Sequence, residues 1–247
     1  MTEIGSTAWP AKKQKEIAHR YMLGLYKILE NITSNFPNIL FESCSGGGGR
    51  FDGGMLYYMP QTWTSDDTDA IERLMIQEGT SLVYPTSSMG SHVSAVPNHQ
   101  VHRITPLNTR GVVAMAGSFG YELDVTKMNE EEKEEVKKQV EFYKNIRSTV
   151  QFGDLYRLKS SFDSNEAAWM NLSKDGKEVV VSYVKKYSEA NVIPRRLKVK
   201  ALDENSLYEV IETGEVFGGD ELMYIGLNIP ELYGDYVSKL WRLKRKN

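Results

Sequence analysis

Residues 38–84 read NILFESCSGGGGRFDGGMLYYMPQTWTSDDTDAIERLMIQEGTSLVY, and the fold is decided here. The apolar run Asn38 to Ser43 has the length of a buried strand and ends on Cys44 and four glycines. A second run, Met55 to Thr62, reads as another strand and ends on Trp63 and an acidic cluster. Helical periodicity then starts at Ser65-Asp66, continues through Ala70, Ile71, Leu74 and Met75, and stops at Gly79. Ser81 to Tyr84 reads as the next strand. Strands alternating with helices predict βα units and a parallel sheet.

The same texture extends both ways. Upstream, Pro10 suits the first turn of a helix, and Ile17, Tyr21, Leu25, Ile28, Leu29 and Ile32 form one stripe. Phe36-Pro37 closes it, because a proline disfavours helix in the residue before it. Downstream, Thr105-Pro106 opens a helix to about Ala116, and Phe119 to Leu123 is a strand. Asn129 to Val150 is an amphipathic helix with Val136, Val140, Tyr143 and Ile146 on its buried face. From Asp154 onward, short runs of alternating polarity (155–158, 168–173, 178–184, 196–199, 207–211 and 237–243) are separated by turns such as Lys174-Asp175-Gly176. These predict an antiparallel sheet or sandwich. The fold class is therefore α/β followed by all-β, divided at about residues 1–152 and 153–247.

Composition narrows the function classes. The 247 residues carry 30 Lys plus Arg against 33 Asp plus Glu, a formal charge of -3. That mild acidity argues against a nucleic-acid partner, which needs a basic surface. No apolar run approaches the ~18 residues that span a bilayer, and the N-terminal MTEIGSTAWPAKK lacks the apolar core of a signal peptide. One cysteine, Cys44, cannot form an internal disulfide, which predicts a reducing cytoplasm.

Chemistry in parallel α/β folds gathers at the C-terminal ends of strands, and two features fall there. Cys44-Ser45-Gly46-Gly47 opens a glycine run whose backbone can approach a ligand closely; the plainer reading is a flexible loop. No Gly-Lys-Ser/Thr follows, so it is not a phosphate loop. Trp63-Thr64-Ser65-Asp66-Asp67-Thr68-Asp69 offers carboxylates either as helix caps or as a general acid or base beside an aromatic wall. Paired carboxylates are what glycoside hydrolysis needs. His92, His99 and His102 match no metal-ligand spacing and read as hydrogen-bonded loop histidines. No metal and no cofactor is expected.

Three long strings carry a resemblance: residues 41–85, beginning FESCSGGGGRFDGG; residues 89–124, beginning MGSHVSAVPNHQVHR; and GDELMYIGLNIP at 219–230. Together they resemble the bacterial α-galactosidases of glycoside hydrolase family 36, over essentially the whole chain. The resemblance implies a partial (β/α)8 TIM barrel, strands five to eight, followed by an antiparallel β-sandwich. It implies retaining hydrolysis of terminal α-galactosides such as melibiose and raffinose, or of α-N-acetylgalactosaminides. Asp66 matches the general acid/base in the family's S-D-x-T-D motif. Cys44, Ser45, Gly46 and Gly47 match the loop lining the galactose pocket. Asp67 and Asp69 keep the capping reading. Gly53 stands where the family often has proline, and Trp9 replaces an aliphatic residue.

One departure is larger. The family's nucleophile sits in a Lys-Trp-Asp-Met-Asn-Arg motif, which in relatives lies just upstream of the residues matching Thr2 to Ser6. No such motif occurs here. The expected state is a C-terminal fragment of such an enzyme, inactive alone and acting in a homo-oligomer or as half of a complementing pair, or else a non-catalytic sugar-binding module. A helix beginning at Ser65-Asp66 would also hold the Asp66 carboxyl lower than in a complete enzyme, since the helix N-terminus favours the anion.

Overall fold

The computed structural model describes residues 4–46, 49, 51–191 and 193–246, which form two compact units, Met1–Trp63 and Thr64–Asn247. In the first unit a 3-10 turn, Ala11–Lys13, leads into helix α1, Gln14–Asn35. Phe36 caps it, as the following proline requires. Strand β1 is only Glu42–Ser43, and it pairs in parallel with β2, Gln61–Trp63. The run expected at 38–43 thus contributes two residues to the ladder, with Leu40 left exposed.

Between them lies a helix, α2, Gly53–Tyr58, where a strand was expected from Met55 to Thr62. The cause is local. Asp52 is an N-cap whose Oδ1 accepts from the Met55 N–H at 2.8 Å, and one satisfied orphan donor outweighs the strand preference of Met-Leu-Tyr-Tyr.

The second unit begins with helix α3, Ala70–Ser81. No strand forms at 81–84. A strand that the sequence hid, β3, Met89–Ser94, follows instead, buried at every position. Helix α4, Leu107–Ala114, crosses over to β4, Ser118–Glu122, parallel to β3 with His92 opposite Gly120 and Ser94 opposite Glu122. Helix α5, Glu130–Phe152, starts on a capping box: Asn129 and Glu132 satisfy each other's backbone N–H groups. Its Tyr143 and Ile146 are buried as predicted, while Val136 and Val140 are half-buried.

The remainder is antiparallel. Strands β5 (Asp154–Lys159), β6 (Glu166–Leu172), β7 (Glu178–Lys185), β8 (Arg195–Leu197), β9 (Leu207–Val210), β10 (Val216–Gly218), β11 (Leu227–Ile229) and β12 (Val237–Arg245) follow in order, with the short helix α6, Gly219–Tyr224, between β10 and β11. Six of them form one sheet, ordered β10-β9-β12-β7-β6-β5, and β8 pairs with β11 as a separate ribbon. Alternate residues of β7 face two different cores. Val181 and Tyr183 pack with Leu197, Tyr208 and Leu222, while Val184 packs with Ile71, Leu74 and Val113 of α3 and α4. That two-sided burial explains why Val-Val-Val-Ser-Tyr-Val is almost continuously apolar. No helix among the described residues is long and apolar enough to cross a membrane.

Candidate active site

In the first unit, the C-terminal end of β1 carries the glycine run. Ser43 is buried, and its carbonyl accepts from the Thr62 hydroxyl at 3.1 Å, so the chain leaves the ladder at Cys44. Cys44 is exposed, Ser45 half-buried, and Gly46 adopts φ +57, the left-handed region that favours glycine. The Gly49 N–H donates to the Ser45 carbonyl at 2.9 Å, and a Cβ at position 49 would lie 2.8 Å from that oxygen. Gly49 is thereby tied back to Ser45. Gly47 lies outside the described residues.

In the second unit, the acidic cluster is a tied-down loop. The sequence placed the helix start at Ser65-Asp66; the structure places it at Ala70, with Asp69 as the N-cap accepting from Ile71 and Glu72 N–H at 3.1 and 3.0 Å. Three aspartates within four residues offered competing caps, and the buried one, ion-paired to Arg103, is the one used. Asp67 instead accepts from the Asp69 N–H at 3.0 Å, a local turn. Asp66 sits outside the helix. The helix start expected at Asp66 therefore falls at Asp69, its N-cap, three residues on.

From Thr64 to Asp69, Asp66 is the one exposed residue. Its neighbours are fixed by Arg73, whose side chain is fully buried. The guanidinium donates to the carbonyls of Ser65 at 3.1 Å and Asp67 at 3.0 Å, the two residues flanking Asp66. It also donates to the Thr64 hydroxyl at 3.0 Å and the Gly90 carbonyl of β3 at 2.8 Å. Burial lowers the Arg73 pKa to about 10, which leaves it charged at neutral pH. Thr68 is held from the other side, by the Ser94 hydroxyl at 2.6 Å and the Asn98 amide at 2.9 Å. The loop is a rigid mount with one carboxylate pointing out of it.

Two titratable groups on β3 and β4 complete the setting. His92 lies in β3, not in a loop as expected, with Nε2 3.0 Å from Oε2 of Glu122 at the end of β4. Burial of the imidazole, with the Arg73 charge second, pushes its pKa down to about 3, so the contact is between a neutral ring and a carboxyl. Glu122 is pushed up, first by burial and further by the charge of Asp66, against Arg73 and His99. A half-exposed carboxyl that holds its proton more tightly, within electrostatic reach of Asp66, suits acid–base work. Among the described residues no group of three or more His, Cys, Asp or Glu side chains is arranged to hold a metal.

Sequence reading did not single out Arg73 or Glu122 as site residues, and His92, expected in a loop, lies in β3. Glu122 closes a legible strand and could have been found by the strand-end rule. Arg73 gives no signal, because a helical arginine reads as surface charge.

Comparison with known proteins gives a consistent result. The melibiase family profile matches residues 1–153, and that of the glycosyl hydrolase family 36 C-terminal domain matches residues 166–243. The alpha-galactosidase AgaA of Geobacillus stearothermophilus is 62% identical over 244 residues, 99% of this chain and 33% of that protein. The alpha-galactosidase Mel36A of Lactobacillus acidophilus is 53% identical over 247 residues, 100% of this chain and 34% of that protein. The crystal structure of AgaA superposes with a TM-score of 0.96 at 62% identity, covering 100% of this chain and 34% of that one; an AgaA variant solved in complex with raffinose gives the same score at 61%. The chain thus spans about a third of the length of the curated relatives it matches.

Proposed function

The chain belongs to glycoside hydrolase family 36, the melibiase family, and on that premise we propose that it supplies the general acid/base of a retaining α-galactosidase, Asp66. The substrate class is a terminal α-D-galactoside of the melibiose or raffinose type. Asp66 gives its proton to the departing glycosidic oxygen, then takes one from the water that releases the sugar. Cys44, Ser45, Gly46 and Gly47 line the galactose pocket. Residues 1–152 are the second half of a (β/α)8 barrel, strands five to eight, and 153–247 a β-sandwich. The two parallel pairs, each joined through a helix, support that division. Cys44 as the one cysteine supports a reducing, cytoplasmic setting.

The observation that carries the proposal is the mount. Arg73 clamps both residues flanking Asp66 while leaving Asp66 exposed, and preorganisation of a reacting group is what catalysis rewards. Retention also needs a second carboxylate ~5–5.5 Å from the first, as nucleophile. The 247 residues hold no Lys-Trp-Asp sequence, so that carboxylate comes from outside them, and these residues alone do not turn substrate over.

The test is complementation. Co-expressed with a family 36 segment bearing the Lys-Trp-Asp motif, the chain hydrolyses a nitrophenyl α-galactoside, and Asp66→Asn abolishes this. Associated, soluble halves without activity, or activity that survives Asp66→Asn, refute the assignment.

A further inference from the structure

One sizeable cavity is remote in sequence from Asp66. It is a groove of about 680 Å³ in the antiparallel part, between the end of β7, the β8–β11 ribbon and the loop 230–234. That is the size of an ordinary small-ligand site.

Its chemistry is specific. The rim carries Tyr233, a residue 80% exposed, with Asn228 also exposed on the ribbon. Two cations, Lys185 and Arg195, and two carboxylates, Glu189 and Glu231, line it, so the formal charge cancels. The charges are also spent internally. Arg195 pairs with Glu189 and, at 2.9 Å, with the buried Glu166, which Lys159 and the Tyr183 hydroxyl also engage. Lys185 donates to the Leu232 carbonyl, and the Tyr233 hydroxyl to Glu231. A charged ligand would have to displace these pairs. A neutral ligand rich in hydroxyls would not, since ion-paired carboxylates keep further lone pairs and Asn228 offers both a donor and an acceptor. Tyr233 presents an exposed aromatic face on which a sugar's C–H surface can lie.

We propose that this groove is a second carbohydrate site, which binds a neutral oligosaccharide against Tyr233 without hydrolysing it. The site is independent of Asp66: it would hold saccharide close to the protein whether or not the acid/base assignment stands.

The experiment is a titration of the full chain with stachyose, followed by backbone-amide NMR. Saturable shifts at Tyr233 and Asn228 are expected with a millimolar midpoint, unchanged in Asp66→Asn. Tyr233→Phe keeps the ring and binds within about threefold of the parent. Tyr233→Ala, at a solvent-exposed position that folding tolerates, weakens binding at least tenfold. An acidic oligosaccharide of similar length gives no saturable shift. The proposal is overturned by linear shifts up to 100 mM (about a hundredfold above the low-millimolar range,), by shifts that persist in Tyr233→Ala, by preferential binding of the acidic sugar, or by self-association of the chain through this face.

Discussion

Replacing Arg73 tests the mount directly. Arg73→Met keeps most of the apolar volume and removes the guanidinium that reaches Ser65, Asp67, Thr64 and Gly90. Hydrogen bonds from a charged donor contribute ~1.5–3 kcal/mol each, so four of them come to at least ~6 kcal/mol. Burying the charge works against this. A pKa lowered from 12.5 to about 10 corresponds to roughly 3 kcal/mol, which methionine recovers. The balance is a loss of about 3 kcal/mol at the low end, concentrated in residues 64–68. Amide hydrogen exchange is the assay. The Asp67 and Asp69 N–H groups, bonded to the Ser65 hydroxyl and the Asp67 carboxylate, should exchange about a hundredfold faster in the variant. Arg73→Lys should behave like Arg73→Met, because one ammonium cannot span acceptors served by two guanidinium nitrogens. Unchanged exchange in Arg73→Met, or full protection in Arg73→Lys, would refute the reasoning.

Three further outcomes are expected. His92 is held neutral, its folded pKa of about 3 lying below the ordinary 6.5; its contribution is complete above pH 6.5 and is lost as pH falls toward 3. Between pH 7 and pH 5 urea unfolding should show ~2 kcal/mol of extra destabilisation in the parent that His92→Gln lacks. Asp69→Ala removes both the α3 cap and a carboxylate paired with Arg103; thermal denaturation should report a loss of at least ~2 kcal/mol, with Asp69→Asn milder because it keeps a cap acceptor. Asn129→Ala breaks the α5 capping box at an exposed site and should cost ~1 kcal/mol by the same measurement.

Where the sequence carried periodicity or caps, the fold was legible. Helix α5 announces itself by the stripe of Val136, Val140, Tyr143 and Ile146, and the antiparallel strands β5, β6, β7 and β12 by apolar runs between turns. Strand β3 was hidden because its burial is achieved with Gly90, Ser91, His92 and Ser94, small or polar residues that make no apolar run. Helix α2 was misread because its aromatic content favours strands, whereas a single cap at Asp52 decided it. Within the candidate site, Asp66 could be named from its motif, but its mechanical isolation could not. That property depends on Arg73, seven residues along and fully buried, meeting a carbonyl of β3. It is a tertiary fact with no local signature.

The order of the large sheet bears on how the molecule is made. Strand β12, the last in sequence, lies between β7 and β9, with Lys244 opposite both Glu178 and Glu209. During synthesis β5, β6 and β7 emerge before β12 and can zip as a meander, yet β7 presents an unpaired apolar edge until β12 follows. A chain interrupted shortly before residue 237 is left with an open, sticky edge, so closure of the sheet waits on the nine residues of β12.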